Sequence, residues 1–445
     1  MIRKQAIKDL PNLCKNSPES VAKIAEALTQ LLQCDDQGEL SLIQSSLKSL
    51  FGNNAKGTLE GIFAQILGED DAIREKAIKF LGDKVKTLPE DTIDKDCEDY
   101  LVTMCKKVLQ DVTKDEFIAI MDILKCQRSM ITVQGRQQLV EIVTEQAELD
   151  QPFDAEDADC VDRLVHCVKQ AAPLFSKNVH SKAFFGYMCD HVLPNLQKIA
   201  SPEEGVDGQL EILKLCAEIS EFCGDLDKLE ERVANVYNCL IHYMPLPPAE
   251  ENDGLSANEE PKLSFSLVEC LMFSFHQIGR KLPGFLADEE NAERLKDFKS
   301  RLQYFARGVQ VYIKTLRAAL QGKTGETLKT EENKIKVVAL KITSNINTLI
   351  KDLFHSPPSY KAVVTLSWKP LVSKPAPATA TAATAGQKRF TPVSFETNGA
   401  SGGKKAHKQE RSLYAPPSGK FSEKAGTFQP GQGRGGRGGF RGRRY

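Results

Sequence analysis

The sequence lacks the features that mark a metalloprotein, an oxidoreductase or a membrane protein. Its 12 cysteines are scattered from Cys14 to Cys270, and none forms a C-x-x-C pair. Scattered cysteines at apolar helical positions are typical of reduced, buried thiols in a cytosolic or nuclear protein. No run of 18 apolar residues and no signal-peptide pattern occurs. We therefore expect a soluble intracellular protein that has no membrane partner.

A local catalytic or metal-binding constellation is also missing. No serine, cysteine or carboxylate stands beside a histidine in a pattern typical of nucleophilic or acid–base catalysis. Cys239 and His242 are one helical turn apart, but a zinc site needs three or four protein ligands and no second pair lies at a suitable spacing. The sequence thus predicts a protein that is not an enzyme and holds no cofactor.

The net charge is small in total but unevenly distributed. It is formally −1, yet residues 372–445 hold 14 basic against 3 acidic side chains, so residues 1–371 carry −12. Within that body, residues 291–351 carry +8 and the remainder carries −20. An acidic body with a basic tail indicates binding to charged partners.

A nine-residue motif occurs twice at an offset of 71 residues. Residues 73–81 (IREKAIKFL) share six of nine positions with residues 2–10 (IRKQAIKDL). That offset suits two helical hairpins, and repeated hairpins are typical of a solenoid in which each pair is too thin to bury its own apolar face. In a HEAT-type stack the arginine of such a motif, here Arg74, usually pairs with an acidic residue of the neighbouring repeat. The sequence therefore predicts an all-α fold, a right-handed α-solenoid of antiparallel helix pairs.

The helical patterning covers residues 1–371 and then stops. Within it, residues 245–262 are acidic and contain prolines, which predicts a long solvated connection. The body ends in an alternating segment around Trp368, the single tryptophan, which we expect to lie extended on the helices. Residues 372–445 are rich in proline, alanine, threonine and glycine and are predicted to form a disordered basic tail.

The longest predicted helix runs over residues 288–320 and carries a heptad pattern. The pattern would suit a zipper, but further apolar residues such as Tyr304 and Val311 make the helix apolar well beyond a two-residue seam. This favours packing inside the chain's own helical bundle over a zipper with a partner, and we expect a monomer. The heptad positions are Leu295, Leu302, Val309 and Leu316.

Acidic residues cluster at 69–71, 111–116 and 145–159. If helix pairs stack as the 71-residue offset suggests, the first two clusters lie on neighbouring repeats and could present one surface to a basic partner. A solvated surface that only aids solubility is the alternative. The candidate partner-binding residues are Asp71, Asp111, Asp115, Glu116 and Glu145.

The tail contains two candidate signals. Two basic clusters have the layout of a bipartite signal for an import receptor, with a plain solubilising tail as the alternative. The final arginine–glycine repeat predicts RNA binding through phosphate contacts and base stacking, with protein docking as the alternative. The import residues are Lys388, Arg389, Lys404, Lys405 and Lys408, and the RNA-binding residues are Arg434, Arg437, Phe440, Arg441, Arg443 and Arg444.

Several long stretches of the body resemble the apoptosis inhibitor 5 family. They are GRQQLVEIV at 135–143, PLFSKNVHS at 173–181, RLQYFARGVQVYI at 301–313 and LQGKTGETLKTEENKIKVVALKI at 320–342, with PPSGK at 416–420 in the tail. The resemblance covers nearly all of residues 1–371. It implies HEAT-like helical repeats over 1–175, beginning inside a repeat, and armadillo-like repeats over 176–371.

The same resemblance implies a function. The family's members are nuclear and partly cytoplasmic anti-apoptotic proteins, so we expect binding of acinus and of basic fibroblast growth factor, with suppression of apoptotic DNA fragmentation. The heptad helix corresponds to the family's leucine-zipper-like region, and Lys177 to an acetylated lysine. An RNA-processing adaptor, which would hold proteins on the solenoid and transcripts on the tail, is the alternative function.

Overall fold

The computed structural model describes residues 2–15, 17–89, 91–199, 207–247, 263–323, 327 and 330–370. These residues form helices and connecting segments without any β-strand, which confirms the predicted all-α fold. They belong to two compact units. The first unit comprises Met1–Tyr243 and Cys270–Asn291, and the second comprises Met244–Glu269 and Ala292–Tyr445. Residues on both sides of position 175 belong to the first unit.

The helices follow one another along the whole described body. Those of the first unit are α1 (Ile2–Leu13), α2 (Val21–Gln30), α3 (Gln37–Asn53), α4 (Ala55–Ile66), α5 (Asp71–Val85), α6 (Lys95–Val108), α7 (Lys114–Lys125), α8 (Arg128–Ile131), α9 (Val133–Gln146), α10 (Ala158–Ala171), α11 (Lys182–Tyr187), α12 (Gly208–Ser220) and α13 (Leu229–His242). They are followed by α14 (Phe265–Gly279), whose first five residues belong to the second unit, and by α15 (Gly284–Ala287). The second unit also contains α16 (Ala292–Leu320) and α17 (Glu331–Leu353).

Polar side chains fix where the helices of the first unit begin. Asp70 accepts hydrogen bonds from the backbone N–H groups of the first turn of α5, at 3.1 Å. Thr113 and Glu116 form a capping box at the start of α7, in which each side chain accepts a hydrogen bond from the other residue's backbone N–H. Such caps satisfy N–H groups that have no partner within the helix, and each contributes about 1 kcal/mol.

Neighbouring helix pairs of the first unit stack in two layers. In one layer α5 packs on α7, α7 on α10 and α10 on α12, whereas α2 packs on α4 and α4 on α6 in the other layer. The two copies of the repeated motif lie in α1 and α5, so the 71-residue offset corresponds to the two hairpins α1–α2 and α3–α4. The sequence inference of stacked helix pairs is therefore correct for this unit.

Ion pairs join α5 to α7 and α1 to α3, helices that pack on each other in the first unit. Arg74 Nε donates to Glu116 Oε1 at 2.9 Å, and the matching Arg3 of the first motif lies 2.7 Å from Glu39. The side chains of Arg74 and Glu116 are largely buried, with 15% and 11% of their surfaces exposed. The expected pairing of Arg74 with an acidic residue of the neighbouring repeat is confirmed.

The second unit is built on the long hairpin of α16 and α17. Leu302 and Val309 are fully buried, Leu316 is nearly so, and Leu295 is half-buried. Phe298 and Phe305 extend the same buried stripe. The heptad residues thus pack within the chain, as the breadth of the apolar surface suggested, and the helix begins four residues later than predicted, at Ala292.

The segment after α17 lies extended along the hairpin without forming a strand, as expected. Its anchor is Glu269, which is 1% exposed and accepts hydrogen bonds from Ser367 N at 3.0 Å, Ser367 Oγ at 2.7 Å and Asn345 Nδ2 at 2.6 Å. Leu366 is buried beside these bonds. A buried carboxylate needs such donors, because an unsatisfied one costs several kcal/mol.

Candidate functional site

A groove between α5 and α7 has a volume of about 870 Å³. Seven carboxylates and three basic side chains line it, so its formal charge is −4. The acidic residues are Asp71, Glu75, Asp83, Asp111, Asp115, Glu116 and Asp122, and the basic residues are Arg74, Lys79 and Lys86. We call this feature the α5–α7 groove.

Three of the predicted partner-binding residues meet at one end of the α5–α7 groove. Asp71 lies in the first turn of α5, Asp115 lies in the first turn of α7, and Asp111 lies in the turn that precedes α7. All three side chains are exposed. The clusters at 69–71 and 111–116 therefore share one surface, because α5 and α7 are neighbours in the same layer of the stack.

Glu116 lies in the same groove but has a structural role. Its carboxylate accepts hydrogen bonds from Arg74 Nε at 2.9 Å and from Thr113 N at 3.0 Å, and only 11% of its side chain is exposed. Arg74 Nη2 also donates to the carbonyl oxygen of Asp111. Glu116 thus holds α7 against α5 and fixes the turn that presents Asp111, and its own oxygens are occupied.

The opposite end of the groove contains acidic residues that the sequence reading did not select. Asp83 and Asp122 are exposed there, and Asp122 lies 3.6 Å from Lys86 Nζ. Glu75 lies one helical turn from Asp71 on α5, between the two ends. In the sequence, Asp71, Glu75 and Asp122 are ordinary acidic residues of two separate helices. Only the packing of α5 against α7 shows that they line one surface.

Glu145, the remaining predicted residue, does not lie in the α5–α7 groove. It is on α9 and lines a smaller groove of about 270 Å³ together with Gln138 of the same helix and Lys106 of α6. Gln146 Nε2 donates to the carbonyl oxygen of Leu109 and joins the two helices there. The structure therefore brings Asp71, Asp111 and Asp115 together and places Glu145 on a separate surface.

Lys177 lies at the tip of a tight turn and is exposed. Ser176 and Val179 form an isolated antiparallel bridge that closes the turn, and the His180 Nε2 atom lies 2.9 Å from the Lys177 carbonyl oxygen. Residues 248–262 of the predicted connection at 245–262, the import residues and the RNA-binding residues lie outside the described residues.

Eight of the 12 cysteines are buried as apolar core residues, three are half-buried, and Cys126 is exposed. Burial raises the pKa of Cys105 and of Cys167 to about 12. For Cys97, burial and a hydrogen bond with Asp94 raise the pKa to about 11. Among the described residues no group of three or more His, Cys, Asp or Glu side chains is placed to hold a metal ion. None of the described helices is both long and apolar enough to cross a membrane.

The stacked helix pairs define an all-helical, solenoid-like repeat protein with a charged groove between two of its helices. The sequence profile of the family Apoptosis inhibitory protein 5 matches residues 1–445. The chain belongs to this family.

Similar proteins from several animals match this chain over all or nearly all of its length. The chain is 57% identical to apoptosis inhibitor 5 of Gallus gallus and 56% identical to that of Homo sapiens, in each case over all of this chain and 82% of the relative. It is 42% identical to the apoptosis inhibitor 5 homolog of Drosophila melanogaster, over 95% of this chain and 79% of that protein.

Proposed function

We propose that this chain suppresses apoptosis as a nuclear protein-binding scaffold without chemistry of its own, and that the α5–α7 groove holds a basic partner of the basic fibroblast growth factor type. The anti-apoptotic role is supported by the family and by the names of its members. The groove is supported by one observation above all. Three exposed aspartates, Asp71, Asp111 and Asp115, lie at one end of it, and within the described part of the chain none of them has an ion pair like the one between Arg74 and Glu116.

Charge and shape suit the groove for basic side chains. Lysine and arginine lose little hydration at a half-open surface and gain charge-assisted hydrogen bonds with carboxylates. An acidic surface also raises the local concentration of a basic partner and so accelerates association. Because such steering is screened within about 10 Å at 0.1 M salt, binding should weaken as salt rises to physiological strength.

The test neutralises the three aspartates without disturbing the Arg74–Glu116 pair. The groove variant carries Asp71→Asn, Asp111→Asn and Asp115→Asn. A matched control variant removes the same number of negative charges at a distance from the groove. Its substitutions are Glu230→Gln and Glu231→Gln in the first turn of α13 and Glu221→Gln at the end of α12. Loss of a first-turn charge costs a few tenths of a kcal/mol in both variants.

Binding of basic fibroblast growth factor to the full chain would be measured by surface plasmon resonance at two salt concentrations. We expect the groove variant to lose roughly tenfold in association rate at low salt and the control variant to match the wild type. Equal losses in both variants would show that only total charge matters. An unchanged affinity of the groove variant would remove the partner from this groove. Glu145→Gln tests whether the α6–α9 groove contributes as well.

Acinus is the second expected partner, and a zipper formed by the heptad residues is not available to bind it. The reason is that Leu302, Val309 and Leu316 are buried in the second unit. We propose that acinus contacts exposed surface of the α16–α17 hairpin and not the heptad residues themselves.

RNA binding through the tail is proposed as a second function, and its support is the composition of residues 431–445. Arginine alternates there with glycine, so planar donors for phosphate and faces for base stacking stand on a flexible backbone. Replacing all five arginines by lysine retains charge and removes the planar group, so affinity for single-stranded RNA should fall. Filter binding with poly(U) measures this, and equal affinity would reduce the tail to an electrostatic contact. The arginines are Arg434, Arg437, Arg441, Arg443 and Arg444.

A further inference from the structure

The outer half of the α16–α17 hairpin leaves apolar side chains uncovered on one face. Ile335 is 67% exposed and Val338 is 43% exposed, whereas Ile342, on the same face of α17, is only 9% exposed. Residues spaced by three, four and seven positions share one face of a helix. The apolar face of α17 therefore extends beyond the part of the helix that the rest of the unit buries.

A helix already occupies the inner half of this face. The first residue of α14, Phe265, stacks on Tyr312 of α16 with ring centroids 4.9 Å apart and contacts Phe305 edge-on at 5.7 Å. Further along α14, Glu269 accepts the hydrogen bond from Asn345 of α17. Helix α14 thus bridges both members of the hairpin, and Tyr312, which is 37% exposed, marks where its cover ends.

The uncovered half of the hairpin is positively charged. Residues 309–320 and 331–341 contain five basic and two acidic side chains. Both acidic residues are engaged on the surface of α17, where Glu331 pairs with Lys334 at 2.6 Å and Glu332 with Lys336 at 2.5 Å. Of the remaining basic side chains, Lys314 and Arg317 lie on α16, and Lys341 of α17 donates to the carbonyl oxygen of Ser367 at 3.2 Å.

We propose that Tyr312, Ile335 and Val338 form a docking face for an amphipathic helix of a partner protein whose apolar stripe is flanked by acidic residues. Helix α14 shows that this face accepts a helix across both members of the hairpin, and the docked helix extends that line outward. Acidic flanks match the basic hairpin. A second copy of the chain would bring two basic hairpins together, which opposes self-association through this face.

The probe is a displayed library of peptides of about 18 residues, five helical turns, with helix-favouring backbones and randomised faces. The full chain is the bait. Peptides enriched on the wild type are then compared on a face variant, Ile335→Ser with Val338→Ser, and on a matched control, Val363→Ser. Val363 is an apolar residue of the same unit that is 91% exposed, and its neighbour Ala362 donates its backbone N–H to Asp352 at the opposite end of α17. These exposed positions leave the buried core unchanged.

The proposal expects enriched peptides with apolar residues at helical spacing and Asp or Glu beside them. Their affinity should fall about tenfold or more for the face variant, remain unchanged for Val363→Ser and weaken with salt. Enrichment without acidic flanks, or equal binding to the face variant, would overturn it. A wild-type dimer in sedimentation that only the face variant loses would also overturn it. The same holds if no peptide binds and the wild type, but not the face variant, binds vesicles of phosphatidylserine and phosphatidylcholine.

Discussion

Replacing Leu302 by arginine separates a zipper from an internal core residue. Leu302 is fully buried on α16, and Phe298 and Phe305 are buried one turn away on either side. Truncating such a leucine typically costs about 3–5 kcal/mol through lost transfer free energy and the cavity left behind. An unpaired guanidinium in the same place costs several kcal/mol more unless the helix moves to expose it. We expect Leu302→Arg to destabilise the second unit by about 4 kcal/mol or more.

The same helix provides the control. Val311 is 54% exposed, so Val311→Arg introduces the same side chain at an apolar position that solvent already reaches. Its cost should stay within about 0.5 kcal/mol. Chemical denaturation followed by circular dichroism compares the two variants with the wild type, and sedimentation velocity reports the oligomeric state of each.

The result that would refute this reasoning is specific. A zipper predicts a wild-type dimer and a Leu302→Arg variant that is monomeric yet stable, since a seam residue becomes solvent-exposed when the partner leaves. Burial within the chain predicts a wild-type monomer and a loss of helical signal at lower denaturant for Leu302→Arg alone.

Two further predictions concern the first unit. In a double-mutant cycle of Arg74→Met and Glu116→Gln, unfolding should give a coupling energy of about 1–3 kcal/mol, because both side chains are largely buried. The pair Lys86 and Asp122, about half exposed, should give less than about 0.5 kcal/mol in the same assay. At pH 8 a thiol reagent should modify the exposed Cys126 first, and the buried thiols, whose pKa values burial raises, only on unfolding. Rapid labelling that persists in Cys126→Ser would contradict this.

The helical repeat architecture was predictable because it depends on periodicity, which a sequence displays directly. The duplicated motif located α1 and α5, and the arginine that it contains at position 74 correctly indicated a contact between repeats. The heptad pattern alone was ambiguous. The extra apolar residues around it favoured burial within the chain, which is correct for the heptad residues, although Val311, one of those extra residues, is itself exposed. Each of these inferences uses spacing within one helix or one repeat.

The composition of the groove was only partly predictable. Asp111 and Asp115 are four residues apart in the sequence, but their proximity to Asp71 depends on the packing of α5 against α7. Glu116 was grouped with the exposed acids, although the Thr113-x-x-Glu116 spacing is the signature of a capping box and could have indicated its structural role. Glu145 was grouped with them by charge, which does not indicate the layer to which a helix belongs.

The most direct test of the central claim measures whether the α5–α7 groove is needed to suppress apoptosis in cells. Cells depleted of their own relative of this protein and deprived of growth factor would express the wild type, the groove variant or the control variant at equal levels, and apoptotic DNA fragmentation would be scored. The account predicts that the wild type and the control variant suppress fragmentation and that the groove variant, correctly folded by circular dichroism, does not. Full suppression by the groove variant would contradict a role for the α5–α7 groove in preventing apoptosis.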